Sequence, residues 1–178
     1  MSTLRTLSFL ITLSSGLLLA HPHAHADTAN AAGDAWKQQV GAISAGDDTT
    51  ARAAAITRQL DALGIPWRSE AFTLDGKTGN NLIAELGGKV DAPLLLIGAH
   101  YDRVQVGRGA TDNASGSAIV LALTEALHKN PLQNHRVQIA FWDLEEAGLL
   151  RSKARAATAG PAHPARHAAH DVVAWGDT

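Results

Sequence analysis

No cysteine occurs anywhere in the 178 residues. Disulfides are therefore excluded, as are thiolate metal ligands and cysteine nucleophiles, so any metal must be held by His, Asp and Glu. An excess of one charge is missing too: 15 Lys and Arg stand against 17 Asp and Glu, a formal net charge of -2. With neither a basic stripe nor an acidic tail, nucleic acid is not an expected partner. The third absence is an apolar run long enough to cross a bilayer, which takes about 20 residues. Leu7 to Ala20 falls short of that and is broken by Ser14, Ser15 and Gly16.

What is present suits one soluble globular domain: 46% hydrophobic residues and 18% charged. Residues 1–26 read as an export signal, with Arg5 as the positive start, the short apolar run, and Ala24-His25-Ala26 as a cleavage site. The mature chain is then expected to begin near Asp27, in the periplasm or outside the cell, without stable membrane insertion. His21, His23 and His25 look like a metal-binding tract. They lie in or beside the part removed and receive no role.

Residues 27–150 carry the periodicity of an α/β domain. Trp36, Val40, Ile43, Ala53, Ile56, Leu60 and Leu63 recur at helical spacing, which predicts two helices broken at Ala45-Gly46-Asp47-Asp48 and stopped by Gly64 and Pro66. Trp67 to Leu74 and Asn81 to Leu86 alternate on either side of Asp75-Gly76 and Thr78-Gly79-Asn80, a predicted hairpin closed by Gly87-Gly88. Leu94 to Ala99 is a continuous apolar run of strand length, suited to a strand buried on both faces. A helix is predicted over Ser117 to Leu127 with Ser115 as its N-cap, stopped by Pro131, and a second interior strand over Arg136 to Trp142. Strand, helix, strand in that order predicts parallel pairing through a crossover. Residues 151–170 are dominated by Ala, Arg, His, Pro and Gly and are expected to be irregular, whereas Asp171 to Trp175, within residues 171–178, looks like the start of a further strand.

The chemistry gathers at the strand ends, where α/β proteins place their sites. His100 and Asp102 follow the first apolar strand, Asp112 lies in Gly-Ala-Thr-Asp-Asn-Ala-Ser-Gly, and Glu145 with Glu146 follow the second strand. Each alone has a bland explanation. A histidine after a strand is usually a core or surface residue, a Glu pair is usually a solvated surface, and an aspartate before a helix serves as a turn residue or favourable N-terminal charge. Together they would repel unless a cation joined them, since crowded carboxylates take up protons. Oxygen and imidazole donors without sulfur suit zinc, cobalt or manganese, and two metals about 3.5 to 4 Å apart require a bridging carboxylate. His100 is then a ligand oriented by Asp102, and Asp112 is the candidate bridge on its small-residue turn. One of Glu145 and Glu146 binds metal while the other accepts a proton.

At these residues the chain resembles the zinc-dependent M28 peptidases, the co-catalytic aminopeptidases. Their marks are a G-A-H-x-D segment, a G-A-D-D-N-A-S-G segment and a D-x-E-E-x-G-L-L-G-S segment, and Leu82 to Lys153 carries the match. The resemblance implies a zinc aminopeptidase-like three-layer sandwich, a mixed and largely parallel sheet flanked by helices. It also implies two zinc ions, with His100 on one, Asp112 bridging, Glu146 on the other, Glu145 as general base and Asp102 orienting His100. Asp171 resembles the family's strand-borne aspartate that joins His100 on the same zinc. Thr111, Leu144 and Arg151 depart from the family's Asp, Gly and Gly. The family's later histidine ligand has no counterpart except by substitution from His163, His167 or His170, so the chain is expected to be shortened at its C-terminus, with residues 151–170 reflecting a frame disturbance or gene fragment. The implied function is hydrolysis of a peptide or aminoacyl substrate at a free amino terminus. The alternatives are a catalytically dead metal-binding remnant, or a glutaminyl cyclase or amidohydrolase of the same fold.

Overall fold

The computed structural model of the chain describes residues 22–89, 91–147 and 166–169. Two helices come first, α1 (Pro22–Ser44) and α2 (Thr49–Ala62), separated at the Gly46-Asp47-Asp48 break. Asp48 caps α2 by accepting the Ala51 N–H at 2.7 Å, and Gly64, at φ 67°, turns the chain out of it. Among the described residues no helix is long and apolar enough to cross a membrane. The backbone of α1 runs through Ala24-His25-Ala26, and residues 1–21 of the expected export signal lie outside the described residues.

Strands β1 (Trp67–Leu74) and β2 (Lys77–Glu85) form the predicted hairpin, but with a tighter turn. Leu74 pairs with Lys77 across Asp75 and Gly76, at φ 51° and 75°. Both turn residues are left-handed, which gives the type I′ twist that matches the strands. Thr78-Gly79-Asn80 therefore belongs to β2 and not to the turn. Gly79 is needed in that strand because a Cβ there would lie 2.9 Å from Asp143 Oδ2.

Strands β3 (Leu94–His100) and β4 (Arg136–Trp142) are parallel and joined by α3 (Gly116–Lys129), in register from Leu94 opposite Arg136 to His100 opposite Trp142. The sheet order is β1-β2-β4-β3-β5, with β2 antiparallel to β1 and β4, which makes it mixed and largely parallel. Leu96 through His100 and Val137 through Phe141 are buried without interruption, as interior strands require. The three helices among the described residues pack on one face, where Ile43, Ile56, Leu60, Ala118 and Leu121 meet Ile97, Val137, Ile139 and Phe141. Each fully buried Ile, Leu or Phe side chain in this layer contributes about 1.5–3 kcal/mol.

Two further expectations are corrected. Ser115 does not cap α3: its backbone is already helical, and its hydroxyl donates to the Thr111 carbonyl at 2.6 Å. The cap is Asn113, fully buried, whose Oδ1 accepts the Gly116 N–H at 2.9 Å. The stretch expected to be irregular contains β5 (Arg166–Ala169), which pairs with β3 from Leu95 opposite Arg166 to Gly98 opposite Ala169. Backbone pairing at a sheet edge uses N–H and C=O groups that every residue but proline carries, so a segment without large apolar side chains can still add a strand.

Candidate active site

The two interior strands end level with each other, which brings the residues after them to one edge of the sheet. His100 closes β3 and is buried, its backbone carbonyl accepting the Ser117 hydroxyl at 2.8 Å from the first turn of α3. Tyr101 continues the ladder by donating its N–H to the Trp142 carbonyl, which turns Asp102 inward, where it too is buried. Asp102 Oδ1 lies 3.3 Å from His100 Nδ1, while Oδ2 accepts the Glu146 N–H at 3.0 Å. One carboxylate thus lies against the imidazole and ties down the loop after β4.

The opposite ring nitrogen faces outward. His100 Nε2 is 3.1 Å from Asp112 Oδ1 and 4.0 Å from Glu145 Oε2. Asp112 lies in an irregular turn, Ala110–Ser115, held beneath by the Asn113 cap and by Trp36, whose indole N–H donates to the Ser115 carbonyl at 3.3 Å. Its side chain is half open to solvent. His100, Asp112 and Glu146 each offer a ligand atom within 4.8 Å of the others.

The turn after β4 presents the two glutamates. Asp143 is buried and binds the Asn80 N–H at 2.9 Å and its neighbour Leu144 N–H at 2.8 Å, anchoring the end of β4 to β2. Leu144 then adopts φ 58°, a left-handed conformation that reverses the chain and sends Glu145 and Glu146 towards His100. This position, where the resembled pattern has glycine, explains why glycine suits it: a side chain with φ above zero costs about 1–3 kcal/mol. Leu144→Ile, with a branched Cβ at that φ, should lower unfolding free energy by about 1 kcal/mol or more, whereas Leu144→Asn should be nearly neutral. Urea denaturation of both variants checks this.

A metal ion fits what is gathered here. Glu146 Oε1 is sealed from solvent without a hydrogen-bond partner among the described residues, an orphan that ordinary folding avoids. Burial, and next the charge of Asp112, pushes the Glu146 carboxyl above its ordinary range; His100 opposes this, and Asp102 and Glu145 add to it. A dication among these groups would satisfy the orphan oxygen and remove the repulsion. The donors are one imidazole and carboxylates, a set that suits zinc.

The structure thus brings His100, Asp102, Asp112, Glu145 and Glu146 together. Asp171, His163 and His170 lie outside the described residues, and the backbone of His167 lies in β5 opposite Leu96. Motif and spacing did not single out Arg52. It is fully buried on α2, and its guanidinium donates to the carbonyls of Tyr101, Arg108 and Gly109, directly below the cluster. Its place in the chain carried a signal: Arg52, Ile56 and Leu60 follow one another at i, i+4, i+8 on the buried stripe.

Residues 81–174 match the sequence model of peptidase family M28. Among curated relatives, leupeptin-inactivating enzyme 1 of Streptomyces exfoliatus is 41% identical over 96 residues, covering 53% of this chain and 22% of that protein. Leucine aminopeptidase 2 of Trichophyton rubrum is 40% identical over 78 residues, covering 44% of this chain and 16% of that protein. The crystal structure of the Legionella pneumophila LapA aminopeptidase superposes with a TM-score of 0.64 at 20% identity, covering 83% of this chain and 46% of that one, a likeness of fold.

Proposed function

The chain belongs to peptidase family M28, and from that premise we propose that it cleaves the peptide bond next to a free amino terminus, with zinc held by His100, Asp112 and Glu146 and with Glu145 as general base. The observation that carries the reading is the convergence of three ligand atoms within 4.8 Å, with the Glu145 carboxylate beside them and outside that set. Asp112, whose side chain is half open to solvent, would be the carboxylate that two ions share. Asp171 is proposed on its sequence context as a further ligand beside His100. The chain spans about a fifth of the length of the curated relatives it matches, so the activity of this chain rests on the site itself.

When bound, the metal would polarise the scissile carbonyl and lower the pKa of an attacking water. The protein's own residues do the rest. Asp102, 3.3 Å from His100 Nδ1, would keep the ring turned so that Nε2 faces the ligand cluster. Glu145 takes the proton of the attacking water and returns it to the leaving amine, so no charged amide nitrogen has to depart. The backbone N–H of Glu146, bound to Asp102, fixes both glutamates relative to the imidazole. Residues 1–26 are proposed to direct the chain out of the cytoplasm, which places it where extracellular or periplasmic peptides are the available substrates.

The test is zinc content per purified chain together with hydrolysis of an aminoacyl-anilide, before and after chelation. Bound zinc, with turnover that is lost on chelation and restored by zinc, is the expected result. A chain that takes up no zinc sinks the reading. Zinc uptake without turnover on any aminoacyl substrate leaves a metal-binding remnant. Release of pyroglutamate from a glutaminyl substrate would redirect the assignment to cyclisation.

A further inference from the structure

We infer that Arg52 is a positioning residue for the metal-ligand cluster: a cationic pin on α2 that holds the loop between His100 and Asp112 and so sets the distance between those two ligands. The inference rests on the proposed metal site for its consequence, though not for its geometry.

Arg52 lies outside the stretch that matches the family, and it is fully buried. A buried guanidinium needs acceptors for its five N–H groups, or its burial is heavily penalised. Among the described residues no carboxylate forms an ion pair with it. Three backbone carbonyls accept from it instead, those of Tyr101, Arg108 and Gly109, with the last two at 3.1 Å each. Tyr101 follows His100 and Gly109 precedes the turn that carries Asp112. One rigid fork therefore grips both ends of the intervening loop, a task for which the planar guanidinium is suited and an ammonium is not.

Besides Arg52, the loop is held chiefly by Arg103, which donates to the carbonyls of Val104 and Gln105. Residues 104–108 are exposed, Val106 being 85% accessible, and no helix or strand runs through them. Arg103 adds an outer brace, donating to the Gly107 carbonyl at 2.8 Å and reaching back to the Asp47 carbonyl beside α2. Gly109 closes against Arg52 at φ 57°, and a Cβ there would sit 3.1 Å from Arg52 Nη1 and 2.7 Å from the Asp112 carbonyl. The positive charge also lies close enough to Asp102 and Asp112 to feel both; burial, and next Arg103, bring its pKa down to about 10, so it stays cationic at neutral pH.

The test compares full-length wild type, Arg52→Lys, Arg52→Met and Gly109→Ala by hydrogen exchange in the metal-free protein and by cobalt titration followed through the visible d–d bands. Arg52→Lys keeps the charge but cannot span three carbonyls. Amides of residues 103–112 should exchange at least tenfold faster, with those of β3 and β4 within twofold of wild type, and cobalt affinity should fall at least tenfold with altered bands. Arg52→Met, which keeps the apolar stem and removes every donor, should show the same pattern and decides the matter if Arg52→Lys does not fold, with Gly109→Ala as the comparison for a loop loosened while the guanidinium stays. Unchanged exchange over 103–112, acceleration spread evenly over the sheet, or local acceleration with wild-type cobalt affinity each overturn the inference. If wild type takes up no cobalt, the metal reading fails separately, and the exchange pattern alone judges Arg52.

Discussion

Glu145→Gln is expected to lower kcat on an aminoacyl-anilide by about 10²–10⁴-fold, the range for loss of a positioned general base, while bound zinc and thermal stability stay at wild-type values. The separation follows from geometry. Glu145 is not among the three residues whose ligand atoms converge, and its Oε2 stands 4.0 Å from His100 Nε2, near the cluster but outside it. Glutamine keeps the size of the side chain and removes its basicity, so a proton-transfer step suffers and metal binding does not. Parallel measurement of kcat, KM and zinc content decides between roles: zinc lost along with activity would make Glu145 a ligand, and unchanged kcat would remove it from the mechanism.

Asp112→Ala should instead abolish metal binding, with zinc affinity falling by more than the roughly 10–100-fold that loss of a supporting residue such as Asp102 produces. Turnover falls with it. Because the Asp112 side chain is 54% exposed, its removal opens no cavity, and the stability of the metal-free chain should stay within about 0.5 kcal/mol of wild type. Isothermal titration with zinc, paired with chemical denaturation in chelator, separates the two effects. Metal affinity close to wild type would exclude Asp112 as a ligand. A large loss of metal-free stability would show that its carboxylate works structurally, despite its exposure.

Much of the fold is written in short-range pattern. Leu94 to His100 and Arg136 to Trp142 are apolar runs of strand length, and runs of that kind can be satisfied only where both faces are covered, so they became the two central parallel strands. Asp75-Gly76 carried its own turn, since few other residue pairs accept two positive φ values in a row. The candidate site is legible for the same reason: His100, Asp102, Glu145 and Glu146 follow those strands directly, and strand ends in a parallel sheet share an edge. The M28 resemblance rested on these residues, and the family match covers them.

Other features depended on partners that local pattern cannot identify. The choice of Asn113 over Ser115 as the cap of α3 turned on where the backbone first becomes helical. β5 formed from residues with no strand pattern, because an open edge beside β3 asks only for backbone groups. Leu144 sits in a left-handed turn that its own chemistry disfavours, held by Asp143 and the hairpin.

By itself, the sequence determined the helices, the hairpin, the central strands and the set of residues at their ends, because helical period, alternation and turn chemistry act over a few neighbouring positions. Only the tertiary structure decided how those residues face one another and what holds them there. Arg52 shows why: its acceptors lie 49, 56 and 57 residues away and are backbone carbonyls, which carry no mark in the sequence and acquire a partner only when the chain has folded around it.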